Sequence, residues 1–196
     1  MDSAEQQFNQ LAYAIAGMAM QAAAAYNKAQ TELALHEVLL PARFESSEGI
    51  NQSRETIAAL AVLTEQHKEM FATFSRNATA QVLAAAAELT FDRRSEVQGS
   101  LIESLNWNIA AQATLYEGRQ TWITSASALL DLIETNEGLI DVEGGNLLFH
   151  SDDLLDQFNE LVARLDAVHA AEVANLQERQ VRISRSAAAL AGRLTQ

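Results

Sequence analysis

The four histidines, His36, His67, His150 and His169, have the widest chemical range in this chain of 196 residues. Imidazole titrates near neutral pH, relays protons, ligates metals and accepts phosphate. Metal sites in helical bundles combine carboxylates with Glu-x-x-His on paired helices. Asp166-x-x-His169 is a single approximation to that motif with no second copy, and neither His36 with Glu32 nor His67 with Glu65 repeats the spacing. No metal site is expected. Arg43, Arg54 and Arg119 lie inside the apolar pattern rather than in charge runs. A guanidinium held between helices can clamp a carboxylate through two parallel N–H donors, so these three are the candidates for binding a small anionic ligand. The simpler expectation for each is a side chain that reaches water along its own aliphatic stem. Cysteine is absent, which removes thiolate ligands, thiol nucleophiles and disulfides. No serine sits in a glycine elbow, and Gly144-Gly145 is not followed by the Lys-Ser/Thr of a phosphate-cradling loop. The expectation is a chain that is not an enzyme and carries no cofactor.

His36-Glu37-Val38-Leu39-Leu40-Pro41 contains the only proline of the chain. It resembles the H-box of histidine-kinase dimerisation helices, and that resemblance implies phosphotransfer to His36, with Glu37 orienting the ring and Pro41 bending the helix. Leu39 and Leu40 stand where that family usually has a basic residue and then Thr or Asn. The expectation here is a helix break flanked by surface residues, with His36 the one unfavoured phosphotransfer candidate.

Composition sets the elements that must position these groups. Apolar residues are 48% of the chain but aromatics only 6%, with alanine runs at 22–25, 84–87 and 187–189. Alanine is the best helix former because it loses no rotamer freedom. One proline and eight glycines are too few to punctuate many strands and turns. The fold class expected is all-α: an elongated antiparallel bundle of four to five helices with long first and last members, forming one domain over residues 1–196. Lys and Arg number 13 against 26 Asp and Glu, a formal charge of -13, which repels a phosphate backbone and disfavours nucleic acid. Arg179, Arg182 and Arg185 form the one basic cluster and suit the negative end of a helix dipole.

Helix one should begin near Ser3 and run to a break at Pro41, with Leu11, Ile15, Met18, Ala22, Ala25 and Ala29 on its stripe. At 1.5 Å per residue that is a rod of roughly 55 Å. Helical spacing resumes from Ile50 to Phe74, with weak break residues at Ser75 to Asn77, so helices over 50–74 and 78–91 are either separate or continuous. Asp92 to Ser100, with Gly99, is a further joint, followed by a helix from Leu101 to Ile133. Residues 134–151 form an irregular loop or a small hairpin around Gly144-Gly145. The last helix starts at Ser151 or Asp152 and carries Leu154, Phe158, Leu161, Leu165 and Val168 at alternating four- and three-residue steps. The apolar stretch 11–25 is about fifteen residues where a membrane span needs about twenty.

Leu40-Pro41 followed by Ser46, Ser47, Ile50, Ser53, Ile57, Ala58, Ala59 and Leu60 is similar to the entry helices of extracytoplasmic helical sensor domains, the helical bimodular and TorS-like kinds of bacterial receptor. The resemblance implies a non-catalytic sensory module that binds a small anionic ligand or a partner protein and passes on a helix displacement. It implies a periplasmic setting, with membrane attachment only through flanking segments. Two alternatives need no such resemblance: a structural or interaction protein such as a secretion chaperone, phasin-like coat or scaffold, which would be cytoplasmic, and a helical pore-forming toxin or translocator. Either leaves a homodimer open.

Overall fold

The computed structural model describes the backbone of residues 3–194 and the side chains of residues 3–178, 181 and 182. Among these the fold is all-α apart from one hairpin: α1 (Ser3–Glu32), α2 (Pro41–Phe44), α3 (Ser47–Ala86), α4 (Phe91–Thr135), β1 (Ile140–Glu143), β2 (Asn146–Phe149) and α5 (Asp152–Leu194). Long first and last helices and the hairpin agree with the sequence pattern. Of the basic cluster, the side chains of Arg179 and Arg185 lie outside the described residues. The chain forms two compact units, Met1–Leu40 with Asn51–Gln112, and Pro41–Ile50 with Ala113–Gln196. Helix length is the reason: a helix as long as α4, 45 residues, measures about 68 Å, and one local cluster of side chains covers a few turns of it.

In the first unit α1 and α3 run antiparallel in a matched register. As the position climbs from Phe8 to Tyr26, its neighbour on α3 falls from Ala86, in the same buried cluster as Phe8, to His67, whose ring stacks on Tyr26 at 4.0 Å. The series continues beyond α1, where the buried Ser53 hydroxyl donates to the Val38 carbonyl at 2.7 Å. Leu89 and Val97 complete the Phe8 cluster at the turn from α3 into α4. The carbonyls that end α3 accept from the N–H groups of Ala87, Glu88 and Leu89, and Arg94 donates to the Leu89 carbonyl at 3.0 Å and also to that of Ala87, so the first turn of α4 ties down the turn between the two helices.

The first helix stops nine residues before Pro41, which corrects the expected break. Ala34 adopts the left-handed conformation (φ 50°, ψ 46°), and a 3-10 turn follows over Leu35–Glu37. A left-handed residue after a helix is usually glycine; at alanine the Cβ clash costs about 1–2 kcal/mol, and no glycine marks the site in the sequence. Pro41 opens α2 instead of closing α1. At the first position of a helix its missing N–H costs nothing and its fixed φ is already helical. The question left open over 50–91 resolves into one helix through Ser75–Asn77, and the joint expected at 92–100 is already inside α4.

In the second unit β1 and β2 pair antiparallel, with Ile140 opposite Phe149 and Glu143 opposite Asn146. Gly144 and Gly145 both have positive φ, 58° and 80°, as a two-residue turn matched to strand twist requires. Phe149 packs on Phe158 of α5 at 5.0 Å between ring centroids, which covers one arm of the hairpin. The α5 helix begins with Leu155 N–H donating to the Ser151 carbonyl at 3.1 Å. Gly49 permits the α2–α3 elbow: a Cβ there would overlap the Arg43 carbonyl group, with Arg43 C at 2.9 Å. Nothing lies within 4 Å of a Cβ built at Gly99.

Two glycines in helices should therefore respond in opposite ways. Gly49→Ala is expected to destabilise by about 2 kcal/mol or more, because the clash is with backbone. Gly99→Ala is expected to stabilise by about 0.5–1 kcal/mol through helix propensity. Urea unfolding followed by circular dichroism measures both.

Candidate functional site

Arg119 is the most informative of the three arginines. It is buried in α4, its side chain 8% exposed, and its Nη1 lies 3.2 Å from Oε1 of Glu172 on α5, whose side chain is 17% exposed. Gly118 lets the two helices approach here: a Cβ at that position would stand 3.6 Å from Val168 Cγ1 and 3.9 Å from Glu172 Oε1. The pair is incompletely satisfied. Arg119 Nε has no hydrogen-bond partner, and Glu172 Oε1 faces Nη1 without hydrogen-bond geometry. Burial pushes the Glu172 carboxyl above its ordinary value of 4.5, and the charges of Arg119 and of His169, three residues earlier on α5, offset that only in part. Taking a charge out of water outweighs the local attraction at this contact.

The other two arginines stand on different elements, Arg43 in α2 and Arg54 in the early turns of α3, and both are half-buried and engaged in interactions. His36 sits exposed in the 3-10 turn over Leu35–Glu37. That turn does not provide the long helix on which the phosphotransfer motif presents its histidine. Exposed His169 belongs to the Arg119–Glu172 cluster. His150 Nε2 meets Asp141 Oδ2 at 2.7 Å across the hairpin, both side chains about half exposed, and such a surface pair contributes about 0–1 kcal/mol. Among the described residues no three of His, Asp and Glu group closely enough to hold a metal ion. Among them also, no helix is long and apolar enough to cross a membrane.

The first unit holds a second buried polar layer. Tyr26 and His67 stack, and one turn away the buried Thr64 returns its hydroxyl to the Leu60 carbonyl at 2.8 Å. The Tyr26 hydroxyl has no partner, nor does Oε1 of the buried Gln112.

The sequence reading passed over Glu172 and Tyr26, although a signal existed for each. Glu172 continues the Leu165–Val168 stripe at the next four-residue step, so an acid falls on the apolar face of the last helix. Tyr26 lies four residues after Ala22 on the stripe of the first helix.

Two outcomes follow. Glu172, with its carboxyl raised, binds a proton in the folded state where the unfolded chain does not. Its contribution to stability is complete below pH 4.5 and is lost as pH rises through the folded value. Unfolding free energies from pH 4 to 8 should thus fall toward neutrality more steeply in the natural protein than in Glu172→Gln. Tyr26→Phe, which deletes an unpartnered buried hydroxyl and keeps the ring on His67, should leave the melting temperature unchanged or raise it.

No protein-family model, no curated protein and no solved structure matches this chain.

Proposed function

We propose that the chain is a non-catalytic sensory or binding bundle of a bacterial signalling receptor, in which a small anionic ligand or a partner's carboxylate alters the contact between α4 and α5. One observation carries this reading: a buried arginine, Arg119, faces a carboxylate destabilised by burial and keeps one donor unused. A fully satisfied ion pair would lock two helices in one arrangement. A half-satisfied one leaves a second arrangement close in energy, which a ligand of differential affinity can select. An incoming carboxylate would match the planar fork of the guanidinium through two N–H donors and release Glu172 toward solvent. In a receptor, the resulting shift of α5 would be the output.

The interaction-protein alternative draws support from a different observation, the large apolar side chains that stand exposed on α1 and α4, Tyr13, Met20, Phe91 and Ile102 among them. In that reading the helices present surfaces to other proteins, and Arg119 serves packing alone.

Thermal melting of the whole chain against a panel of small mono- and dicarboxylates and inorganic phosphate separates these readings. The sensory reading expects at least one anion to raise the melting temperature with increasing concentration by mass action. Arg119→Lys, which keeps the charge and loses the fork, should abolish that rise. A panel without effect, or a rise that survives in Arg119→Lys, overturns it.

A further inference from the structure

The inner face of α1 carries Phe8 and Tyr26, both buried. Among the described residues nothing covers Tyr13 or Met20 on its outer face. Gln10, Tyr13, Gly17, Met20, Gln21 and Ala24 recur there at three- and four-residue steps, with Tyr13 78% and Met20 63% exposed. From Gln6 to Asn27 the helix has no charged residue, in a chain whose net charge is -13. An uncharged helix face that exposes Tyr13 and Met20 to water on so acidic a protein is of the size at which exposed patches are often contact surfaces.

We infer that this face pairs with the same face of a second copy of the chain, α1 against α1 in antiparallel orientation about a two-fold axis near Gly17. The inference is independent of the anion site at Arg119. The charge pattern selects a copy. A two-fold contact sets a surface against itself, and on a molecule this acidic most surfaces would then oppose like charges; this one has none to oppose. The charges stand at its ends: the first turn holds Glu5, and Lys28 follows the neutral run. Glu5 pairs with Arg93 at 3.3 Å and Lys28 with Glu32 at 3.8 Å, so the ends carry internally paired charges; antiparallel pairing keeps the Lys28–Glu32 pairs of the two copies at opposite ends and opposes the two helix dipoles. Gly17 lies at the midpoint of the neutral run, and nothing is within 4 Å of a Cβ built there, so two backbones can approach closely.

A lipid surface is the weaker occupant. Helices that lie on membranes carry Lys and Arg along the polar face, whereas Lys28 is the sole basic residue of α1 and lies 3.8 Å from Glu32. The neutral run spans about 33 Å, and a helix is about 10–12 Å wide. The footprint is therefore roughly 350 Å² per copy, below the ~800 Å² of a standard stable interface. The dimer is accordingly one that dissociates on dilution.

Sedimentation velocity of the whole chain over a wide concentration range tests this. The expected result is a reversible monomer–dimer equilibrium whose dissociation constant rises at least about tenfold in Tyr13→Glu and Met20→Glu, with circular dichroism unchanged. The chain has no cysteine, so Gly17→Cys introduces a single thiol. Under mild oxidation it should form a disulfide-linked dimer, whereas Gly99→Cys, at an equally open helical glycine, should not. A monomer at every concentration overturns the inference, as does a dimer indifferent to Tyr13→Glu and Met20→Glu, or equal cross-linking at both positions. Binding to vesicles of zwitterionic or anionic lipid that these two variants abolish, without self-association, would assign the face to a membrane and likewise overturn it. None of these outcomes bears on the melting experiment with anions.

Discussion

Every long helix must leave four carbonyls without intrahelical partners where it ends, and the way this chain satisfies them organises the rest of the structure. At the end of α3 the carbonyls of Leu83 to Ala86 accept from the N–H groups of Ala87, Glu88 and Leu89, and Arg94 then takes the Ala87 and Leu89 carbonyls of the turn that follows. At the end of α1 the Gln30 and Thr31 carbonyls accept from Leu33 and Ala34 N–H as the chain tightens into a 3-10 turn, and beyond that turn the buried Val38 carbonyl is taken by Ser53. These bonds fix where each helix stops. In so doing they fix the register that places Phe8 beside Ala86 and Tyr26 on His67.

Register matters here because the buried core is made of large apolar side chains, Leu60, Leu129 and Leu130 among the most completely buried, with Ala86 and Ala126 the alanines among them. Alanine supplies helix propensity and close approach, but it buries little area, and each missing methylene forgoes about 0.8 kcal/mol. The large side chains meet at defined levels, such as the Phe8 cluster in the first unit and Phe149 on Phe158 in the second. Each unit also holds a polar contact with an unsatisfied atom, Tyr26–His67 in the first and Arg119–Glu172 in the second. An incompletely satisfied polar contact contributes less stability than an apolar one of the same volume.

Much of this architecture was legible in the residues. The hairpin could be read from Gly144-Gly145 between two apolar arms, and the last helix from Leu154 to Val168 at heptad-like steps. The end of the first helix was not legible, because Ala34 has no side-chain signature for a left-handed turn. Pro41 misled for a related reason: proline ends a helix or begins one, and its neighbours alone do not decide between them. Of the arginines, the sequence singled out Arg43, Arg54 and Arg119 equally, and only Arg119 proved to be buried against a carboxylate. That acid is 53 positions away along the chain, beyond the reach of any local pattern.

The sequence by itself determined an acidic, alanine-rich, all-α chain with one hairpin, because helix propensity, apolar periodicity and glycine conformation are local properties of consecutive residues. Tertiary structure alone decided where helices stop, which polar side chains are buried together, and which apolar face is left without a partner. Those outcomes depend on what a distant segment brings to the same place: Ser53 to Val38, His67 to Tyr26 and Glu172 to Arg119. Burial then turns an ordinary hydroxyl, ring or carboxylate into a constraint, since a polar group removed from water must find its partner in the fold or remain a cost within it.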